Sequence, residues 1–475
     1  MAAQSLRGHD ALTLVLDIGK SHAKLLMIDA AGAVVEQHGR DNASVMSPLG
    51  YPALDLAGLA QWVSQTLAGS KATPRCADAI ASTHGAAIVA LGEGGLAWEA
   101  IDYEFDGYAA LRDSYRAECD DFAVTLAPEL PAGLNAARQL FWLQQAHPEA
   151  WARTSWLLPY AQFWAWWLSG VVASEVSSLG CHTQLWRPAE RCFSDLAQRR
   201  GWAGLFAPLL PAWQVLGGVR PERARETGLP ETCRVHVGVH DSNACLARHL
   251  HDGQAMTLIS TGTWVVIMAP AASAAALDPR RDMLANVSVG GEPVPTARFM
   301  GGRELAALCA GASPQQASLA SLAELLRDGV QALPSFASQG GPFAGSVGRV
   351  LRRGEPIEAA LALSEVQRAS LAALYCAQLT AWLLERLGAA APVVIEGPFA
   401  DNLVYCKALA ALLPAGRVHV STDAVEGTAR GAWQLAHWGE PVSGRRLQPV
   451  EAAAMPALPA HDRLWRELLQ RHGSV

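Results

Sequence analysis

The chain has 475 residues, of which 51% are hydrophobic and 17% charged, so it is too long for one compact core and too apolar to be disordered. Its formal net charge of -7 provides no basic surface for a polyphosphate backbone, which excludes nucleic acid as an expected partner. Nine scattered cysteines include no C-x-x-C pair, and this pattern predicts reduced, mostly buried thiols in a cytoplasmic protein.

The chain opens with a predicted antiparallel meander. Apolar segments at residues 12–16, 24–28 and 33–37 have the length and composition of strands. Tight turns at residues 17–20 and 29–32 separate them. The first domain is therefore expected to begin with three neighbouring antiparallel strands.

Helices and strands alternate after the meander. The apolar spacing predicts helices at residues 56–67 and 134–143, and a strand near residues 79–82 that ends at His84 and Gly85. Alternation of this kind predicts an α/β layer architecture rather than a helical bundle or a β-sandwich.

The tryptophan-rich stretch at residues 151–170 resembles a membrane segment in composition. It contains Arg153, Pro159 and Gln162, and its longest uncharged piece has about 17 residues, at the lower limit for a membrane span. We therefore interpret it as a buried helix and expect no membrane association.

The strand, glycine turn and strand of the N-terminus occur again at residues 256–268. Before this repeat, residues 235–239 form a predicted strand and a helix begins at Asp241. The repeat places a domain boundary near residue 232, which divides the chain into domains 1–232 and 233–475.

The last third of the chain has the clearest helix signals. Ser364 and Gln367 form a capping box at the start of a long amphipathic helix, and Gly388 ends it. The elements predicted after it are a strand at 392–395, a helix at 401–413, a strand at 417–421 and a helix at 427–438.

The first turn is a candidate phosphate loop. Gly19 lets backbone N–H groups converge on an anion, and Lys20, Ser21 and Lys24 add positive charge and a hydroxyl donor. Asp17 ends a buried strand and can hold a hydrated magnesium ion. The alternative interpretation is an ordinary β-hairpin with a solvated aspartate.

The second glycine turn, at residues 260–264, strengthens the phosphate-loop interpretation. A two-domain ATPase needs one phosphate-binding turn in each domain, and neither turn here is a P-loop, because G-x-x-x-x-G-K-[ST] does not occur in the sequence.

Asp241 is the candidate catalytic base. Phosphoryl transfer needs a carboxylate that accepts the proton of the attacking hydroxyl, and an aspartate at the end of a buried strand can provide it. The alternative is that Asp241 only caps the helix that follows. His84, at another predicted strand end, can bond a polar ligand or serve a structural role.

Four motifs then resemble a known family in order and spacing: DIGKSHAK at 17–24, VGVHDS at 237–242, STGTW at 260–264 and GPFADN at 397–402. Together they resemble the FGGY family of carbohydrate kinases over essentially the whole chain. The resemblance implies two ribonuclease H-like domains of the actin-like ATPase fold, with ATP, Mg²⁺ and a small-molecule sugar in the interdomain cleft. It also implies a possible homodimer.

The resemblance also implies roles for individual residues. Those near the phosphates of ATP would be Asp17, which organises Mg²⁺, with Gly19, Lys20, Ser21 and Lys24. Gly262 and Thr263 would form the second phosphate loop. Those bordering the adenosine pocket would be Gly397, Asp401 and Asn402. Asp241 would be the general base, and the sugar-binding residues would be His84, Gly85 and His240.

Two positions depart from the family pattern. Lys20 replaces the threonine or small residue of many relatives, and Glu396 replaces a glycine usual beside Gly397. The motifs around His240 and Trp264 resemble rhamnulokinases and fuculokinases, whereas His84-Gly85 resembles xylulokinases.

The resulting hypothesis is ATP-dependent phosphorylation of a primary hydroxyl of a ketose of the xylulose, fuculose or rhamnulose type. The alternative is a sugar- or nucleotide-binding regulator of the same fold with impaired catalysis. A nicotinamide-dependent dehydrogenase is set aside, because the chain does not open with a strand followed by G-x-G-x-x-G and a helix.

Overall fold

The computed structural model describes residues 10–250, 255–422, 427–440 and 447–472. Their contacts divide them into two compact units. The first contains residues 10–250, 285–293 and 427–440, and the second contains the remaining described residues. This division differs from the predicted one at residue 232, since residues 233–250 belong to the first unit.

The first unit contains fourteen strands along its N-terminal part. They are β1 Leu12–Ile18, β2 His22–Ile28, β3 Val34–Asp41, β4 Ser44–Met46, β5 Pro52–Leu54, β6 Cys76–Thr83, β7 Ile88–Gly92, β8 Gly95–Trp98, β9 Trp156–Pro159, β10 Trp186–Arg187, β11 Cys192–Phe193, β12 Val215–Gly217, β13 Arg234–His236 and β14 Val239–His240.

The helices of the first unit lie between these strands, except for one that comes from the C-terminal part of the chain. They are α1 Leu56–Gly69, α2 Arg112–Glu118, α3 Phe122–Thr125, α4 Ala136–Ala146, α5 Pro148–Trp151, α6 Tyr160–Ser169, α7 Val176–Leu179, α8 Asp195–Arg199, α9 Pro221–Thr227, α10 Asp241–Leu250 and α16 Gly427–Ala436.

The main sheet of the first unit has the order β12-β13-β6-β1-β2-β3, with β14 also paired to β6. The predicted meander is confirmed, because β1 pairs antiparallel with β2, and β2 with β3. β6 is parallel to β1, and β13 and β14 are parallel to β6. Antiparallel pairs on one side of β1 therefore meet parallel pairs on the other, and β12 forms an antiparallel edge beyond β13.

Helices cover both faces of this sheet, which is why β1 is buried at every position but one. Leu14 and Leu16 pack with α1 and α6, whereas Val15 packs with α10 and α16. At the second face, a Cβ on Gly431 of α16 would lie 1.9 Å from the carbonyl oxygen of Ala244. Glycine at this position therefore allows α10 and α16 to pack closely.

The second unit repeats the sheet arrangement of the first. Its strands are β15 Thr257–Thr261, β16 Val265–Met268, β18 Pro293–Phe299, β19 Val330–Leu333, β20 Arg349–Arg352, β21 Glu355–Ile357, β22 Val393–Glu396, β23 Val418–Ser421 and β24 Leu447–Pro449. The chain returns to the first unit within β17, Met283–Val287. The helices are α11 Gly301–Cys309, α12 Leu319–Asp328, α13 Ala359–Ala362, α14 Glu365–Arg386, α15 Leu403–Leu412 and α17 Leu458–His472.

The strand order β18-β16-β15-β22-β23 of the second unit matches β3-β2-β1-β6-β13 of the first. β15, β16 and β18 form the antiparallel meander, and β22 and β23 run parallel to β15. The repeat predicted from two glycine turns therefore extends over whole sheets, as the ribonuclease H-like fold requires.

Two predicted elements are divided in the structure. Residues 151–170 form strand β9 and then helix α6 after Pro159, rather than one helix, because proline starts a helix more easily than it continues one. The strand at 235–239 is divided into β13 and β14 at Gly238, whose φ is +89°. None of the helices within the described residues has the length and apolarity that a membrane span requires.

Helix α14 begins with the predicted capping box between Ser364 and Gln367. It is buried on every side from residue 369 to residue 384, and not on one apolar side as predicted. Polar positions of the buried surface find partners: Gln378 donates to Asp462 of α17 at 3.1 Å, and Thr380 donates to the carbonyl of Cys376 at 2.8 Å. Helices α11, α12 and α15 pack around α14, and α17 contacts it at Gln378, so the side that the sequence pattern assigned to solvent is covered.

Candidate functional site

Three neighbouring strands of the first unit end at the same edge of the sheet, and each carries a predicted site residue there. Asp17 of β1 lies between Lys24 of β2 and Ser82 of β6. His84 comes directly after β6, and Asp241 directly after β14. Ligands of open α/β sheets bind at the carboxyl ends of parallel strands, so this edge is the candidate site.

The turn between β1 and β2 is held by backbone and side-chain hydrogen bonds. The N–H of Gly19 donates to the carbonyl of His22 at 2.9 Å, and the Asn42 amide donates to the carbonyl of Gly19 at 2.9 Å. The Asn42 N–H donates to the carbonyl of Ser21 at 2.8 Å. The Ser21 side chain is exposed. These contacts fix the backbone of the turn and leave the Ser21 hydroxyl accessible.

The Lys20 side chain points away from the turn and towards residues 102–104. Its Nζ forms an ion pair with the buried Asp102 and lies 3.5 Å from Oε2 of Glu104. It also lies 3.5 Å from Oγ of Ser44 and 5.4 Å from the centre of the Tyr103 ring. This environment differs from the phosphate environment that the family resemblance implies.

His84 is buried beside two tyrosines. Its Nδ1 lies 2.8 Å from the carbonyl oxygen of Gly85 and donates to it, so the neutral ring presents Nε2 as an acceptor. The ring centre is 5.3 Å from that of Tyr103 and 5.1 Å from that of Tyr160. Burial lowers the pKa of His84 despite the opposing effect of the Gly85 carbonyl. A neutral imidazole acceptor suits a hydroxyl ligand.

Gly85 allows His240 to approach the end of β6. A Cβ at Gly85 would lie 2.9 Å from Sγ of Cys181 and 3.0 Å from Nε2 of His240. These two atoms are themselves 3.1 Å apart. A larger residue at position 85 would displace the imidazole, so the site needs glycine here for packing.

His240 lies beside the carboxylate of Asp241. The Asn243 amide donates to Nδ1 of His240 at 3.0 Å, which leaves the proton on Nε2. The hydrogen-bond partner of Nε2 is Sγ of Cys181 at 3.1 Å, and Oδ1 of Asp241 lies 3.1 Å from the same nitrogen. The Ser242 N–H donates to the same oxygen at 2.5 Å. The Asp241 side chain is 33% exposed, whereas that of His240 is 6% exposed. The Ser242 N–H thus holds one carboxylate oxygen of a solvent-accessible aspartate, and the buried imidazole lies beside it.

We expect the two histidines to make the protein less stable in acid. Burial lowers the pKa of both His84 and His240, and Asp241 only partly opposes this. Below about pH 6.5 the unfolded chain binds protons that the folded chain does not bind. Each histidine therefore lowers the free energy of unfolding by up to about 1.4 kcal/mol for every pH unit that the pH falls. Urea unfolding at pH 7.5, 6.5 and 5.5 measures the slope. The dependence of the unfolding free energy on pH should be smaller in His84→Gln than in wild type. An unchanged slope would contradict this prediction.

The second unit contains the other predicted phosphate loop, at the turn from β15 to β16. The Gly262 N–H donates to the carbonyl of Trp264 at 2.8 Å, and the Gly302 N–H donates to the carbonyl of Thr263 at 3.2 Å. A Cβ on Gly302 would lie 2.5 Å from the carbonyl oxygen of Gly262. Helix α11 therefore starts against this turn, and the Gly302 N–H, which lacks an intrahelical acceptor, bonds the turn itself.

Gly397 follows β22, beside the end of β15. Its φ of +84° and ψ of -169° are accessible only to glycine, and a Cβ would lie 2.1 Å from the carbonyl oxygen of Thr261. The Thr261 hydroxyl donates to the carbonyl of Glu396 at 2.6 Å and accepts from the Phe399 N–H at 3.0 Å. The two loops are thus joined within one unit.

Asp401 and Asn402 follow Gly397, and the structure gives Asn402 a structural contact. Its Oδ1 accepts the N–H of Tyr405 at 3.0 Å and so caps α15, which begins at Leu403 rather than at residue 401 as predicted. Asp401 is exposed at the end of a single helical turn, Pro398–Asp401. Their contact with adenosine stays a prediction.

The sequence did not indicate several residues that shape the two sites. Asp102 and Ser44 meet Lys20 only through folding, and Cys181 meets His240 in the same way. The pair Gly301-Gly302 did offer a signal, because two glycines after an apolar strand often mark a close backbone approach.

Comparison with known families and structures agrees with this geometry. Residues 253–443 match the family described as carbohydrate kinase FGGY, C-terminal domain. A carbohydrate kinase from Novosphingobium aromaticivorans is 34% identical, with a TM-score of 0.87, and the match covers 98% of this chain and 99% of that one. No curated protein sequence is significantly similar to the chain.

More distant structures show the same fold. A xylulose kinase from Rhodospirillum rubrum has a TM-score of 0.77 at 19% identity, with 98% of each chain covered. A gluconate kinase from Lactobacillus acidophilus has a TM-score of 0.75 at 12% identity, with 98% of this chain and 99% of that one covered. At such identities the likeness concerns the fold and not the substrate.

Proposed function

Because the chain belongs to the FGGY family of carbohydrate kinases, we propose that it transfers the γ-phosphoryl group of ATP to a primary hydroxyl of a ketose. The xylulose, fuculose and rhamnulose types are the proposed acceptors. The observation that carries the proposal is the accessible Asp241 carboxylate at the sheet edge, which accepts the Ser242 N–H and lies beside the buried His240.

We assign Asp241 as the general base. The Ser242 N–H donates to Oδ1, Nε2 of His240 lies 3.1 Å from the same oxygen, and the side chain remains partly exposed. The carboxylate is thus oriented while it stays able to accept a proton from the attacking hydroxyl as the oxygen–phosphorus bond forms. His240, predicted to bind the sugar, acts in this proposal through Asp241 as a positioning residue.

We assign His84 to the acceptor side of the site. Its Nδ1–H is bound to the carbonyl of Gly85, so Nε2 can accept a sugar hydroxyl. Tyr103 and Tyr160 flank the ring and keep it in this orientation. Gly85 contributes by allowing the close approach of His240 rather than through a side chain.

The residues present fit the nucleotide and the metal that the family uses. Asp17 is a partly exposed carboxylate at the end of β1, which suits a magnesium ion that takes few protein ligands and keeps several waters. Gly262 and Thr263 form a tight turn at the start of α11, where backbone amides favour an anion. When bound, ATP supplies the phosphoryl group and Mg²⁺ neutralises its charge.

A panel of sugars tests the proposal. Purified protein with MgATP is supplied with D-xylulose, L-xylulose, D-ribulose, L-fuculose, L-rhamnulose, gluconate and glycerol, and ADP release is coupled to NADH oxidation. We expect at least one ketose to exceed gluconate and glycerol in kcat/KM by about a hundredfold or more, because misplaced or missing hydroxyls leave polar groups of the site unpaired.

Two outcomes of the panel would contradict the proposal. Preference for gluconate or glycerol would retain the kinase but remove the ketose. Binding of sugar or MgADP without turnover of any acceptor would favour the alternative function, a regulator of the same fold.

A further inference from the structure

Lys20 departs from the family pattern, and its contacts are unlike those of a phosphate-binding lysine. Its ammonium is paired with Asp102, lies 3.5 Å from both Ser44 and Glu104, and faces the Tyr103 ring. An ammonium has three donors. Two carboxylates and a hydroxyl are therefore enough to occupy them all.

Asp102 is fixed from several directions. It is 1% exposed, its carboxylate accepts the Ser44 hydroxyl, and its other oxygen accepts the Glu104 N–H at 2.9 Å. Its own N–H donates to the carbonyl of Pro52 on β5 at 3.0 Å. Burial opposes ionisation of this carboxyl, but Lys20, Ser44 and the Glu104 amide outweigh it and lower its pKa. The pair is thus an ionised one inside the first unit.

The pair connects the turn at Gly19 to the residue that packs on His84. Tyr103 directly follows Asp102, and its ring meets the His84 ring edge-on at an interplanar angle of 84°. A displacement of Asp102 would therefore move Tyr103 and release the His84 ring. In the proposed function, His84 accepts a hydrogen bond from a hydroxyl of the acceptor sugar.

We propose that Lys20 is a positioning residue for the acceptor sugar, and that it acts by pairing with Asp102 rather than by binding the nucleotide phosphates. The inference rests on the proposed function, because it assumes that His84 lies at the acceptor. It reassigns a residue that the family resemblance places with ATP.

The Lys20→Met variant separates the two roles. We expect the KM for D-xylulose, or for the best ketose of the panel if that differs, to rise about tenfold, as loss of a charge-assisted contact predicts. The KM for ATP and the Kd for MgADP by calorimetry should stay within about twofold of wild type. Lys71→Met, which removes an exposed lysine outside the site, is the matched control and should change none of them.

The second variant, Lys20→Met with Asp102→Asn, keeps the test valid if the single variant is unstable. Lys20→Met leaves a buried carboxylate without its cation, and the asparagine removes that charge. The double variant should therefore bind the acceptor better than Lys20→Met alone, by about threefold or more. Lys20→Arg should retain most of the acceptor affinity, because it keeps the charge.

The outcomes distinguish this inference from the proposed function. A rise in the Kd for MgADP with an unchanged KM for the ketose would overturn the role of Lys20. A double variant that binds the ketose no better than Lys20→Met alone would also overturn it. If the wild-type protein phosphorylates no ketose, the proposed function fails. In that case an unchanged Kd for MgADP in Lys20→Met would still support the absence of a contact between Lys20 and the phosphates. A higher Kd for MgADP in this variant would overturn it.

Discussion

Replacement of Asp241 by asparagine is expected to lower kcat about a thousandfold, while the KM for the ketose and the Kd for MgADP change little. An amide of the same shape keeps most of the packing but cannot take the proton of the attacking hydroxyl, and general-base catalysis is worth roughly 10²–10⁴ in rate. Initial rates of ADP release, measured with the preferred ketose of the panel, give kcat and both KM values.

The matched control for Asp241→Asn is Asp113→Asn. Asp113 is exposed on α2 and lies outside the described site, so the same chemical change there should leave kcat unaffected. Retention of more than a tenth of wild-type kcat in Asp241→Asn would remove the base assignment. The helix-capping interpretation would then stand, and a drop in melting temperature without loss of rate would accompany it.

Replacement of Gly397 by alanine is expected to destabilise the second unit by about 4 kcal/mol. The backbone at Gly397 lies in a region that costs other residues roughly 1–3 kcal/mol, and the new Cβ would overlap the carbonyl oxygen of Thr261, which adds about 1–3 kcal/mol. We expect the melting temperature to fall by about 10 °C in differential scanning calorimetry. Hydrogen exchange should increase first in peptides covering residues 257–268 and 393–402.

Gly262→Ala provides the comparison, because the same chemical change there meets no obstacle. The nearest atom to a Cβ at Gly262 is the carbonyl oxygen of Trp264, 4.0 Å away. Stability should therefore change by less than about 1 kcal/mol. The Kd for MgADP should nevertheless rise about tenfold if phosphate approaches this backbone closely. An unchanged Kd would remove Gly262 from the phosphate loop, and an unchanged melting temperature in Gly397→Ala would contradict the strain argument.

The sequence determined those features that depend on neighbouring residues. The meander at residues 12–37, the capping box at Ser364 and the two glycine turns all follow from local patterns, and the structure contains each of them. Asp241 could be selected because a buried strand ends directly before it. Hydrophobic periodicity and turn chemistry act over a few residues, and a sequence displays them without knowledge of the fold.

Boundaries and burial were less predictable. The division at residue 232 placed Asp241 in the second domain, although β13 and β14 pair with β6 and belong to the first unit. Helix α16 also packs in the first unit, against α10, although it follows the second along the chain. Contacts between distant parts of the chain decide such membership, and composition does not report them.

Tertiary structure alone decided what the candidate phosphate-loop lysine contacts. The sequence placed Lys20 in a glycine turn beside Asp17, and this position suited a phosphate ligand. Folding brings Asp102 and Ser44 to its ammonium from 82 and 24 residues away. A flexible lysine turns towards whichever charge the surrounding fold leaves unbalanced, so its partner depends on packing and not on the turn that carries it. Local sequence thus fixed the backbone of the site, and long-range packing fixed the directions of its charged side chains.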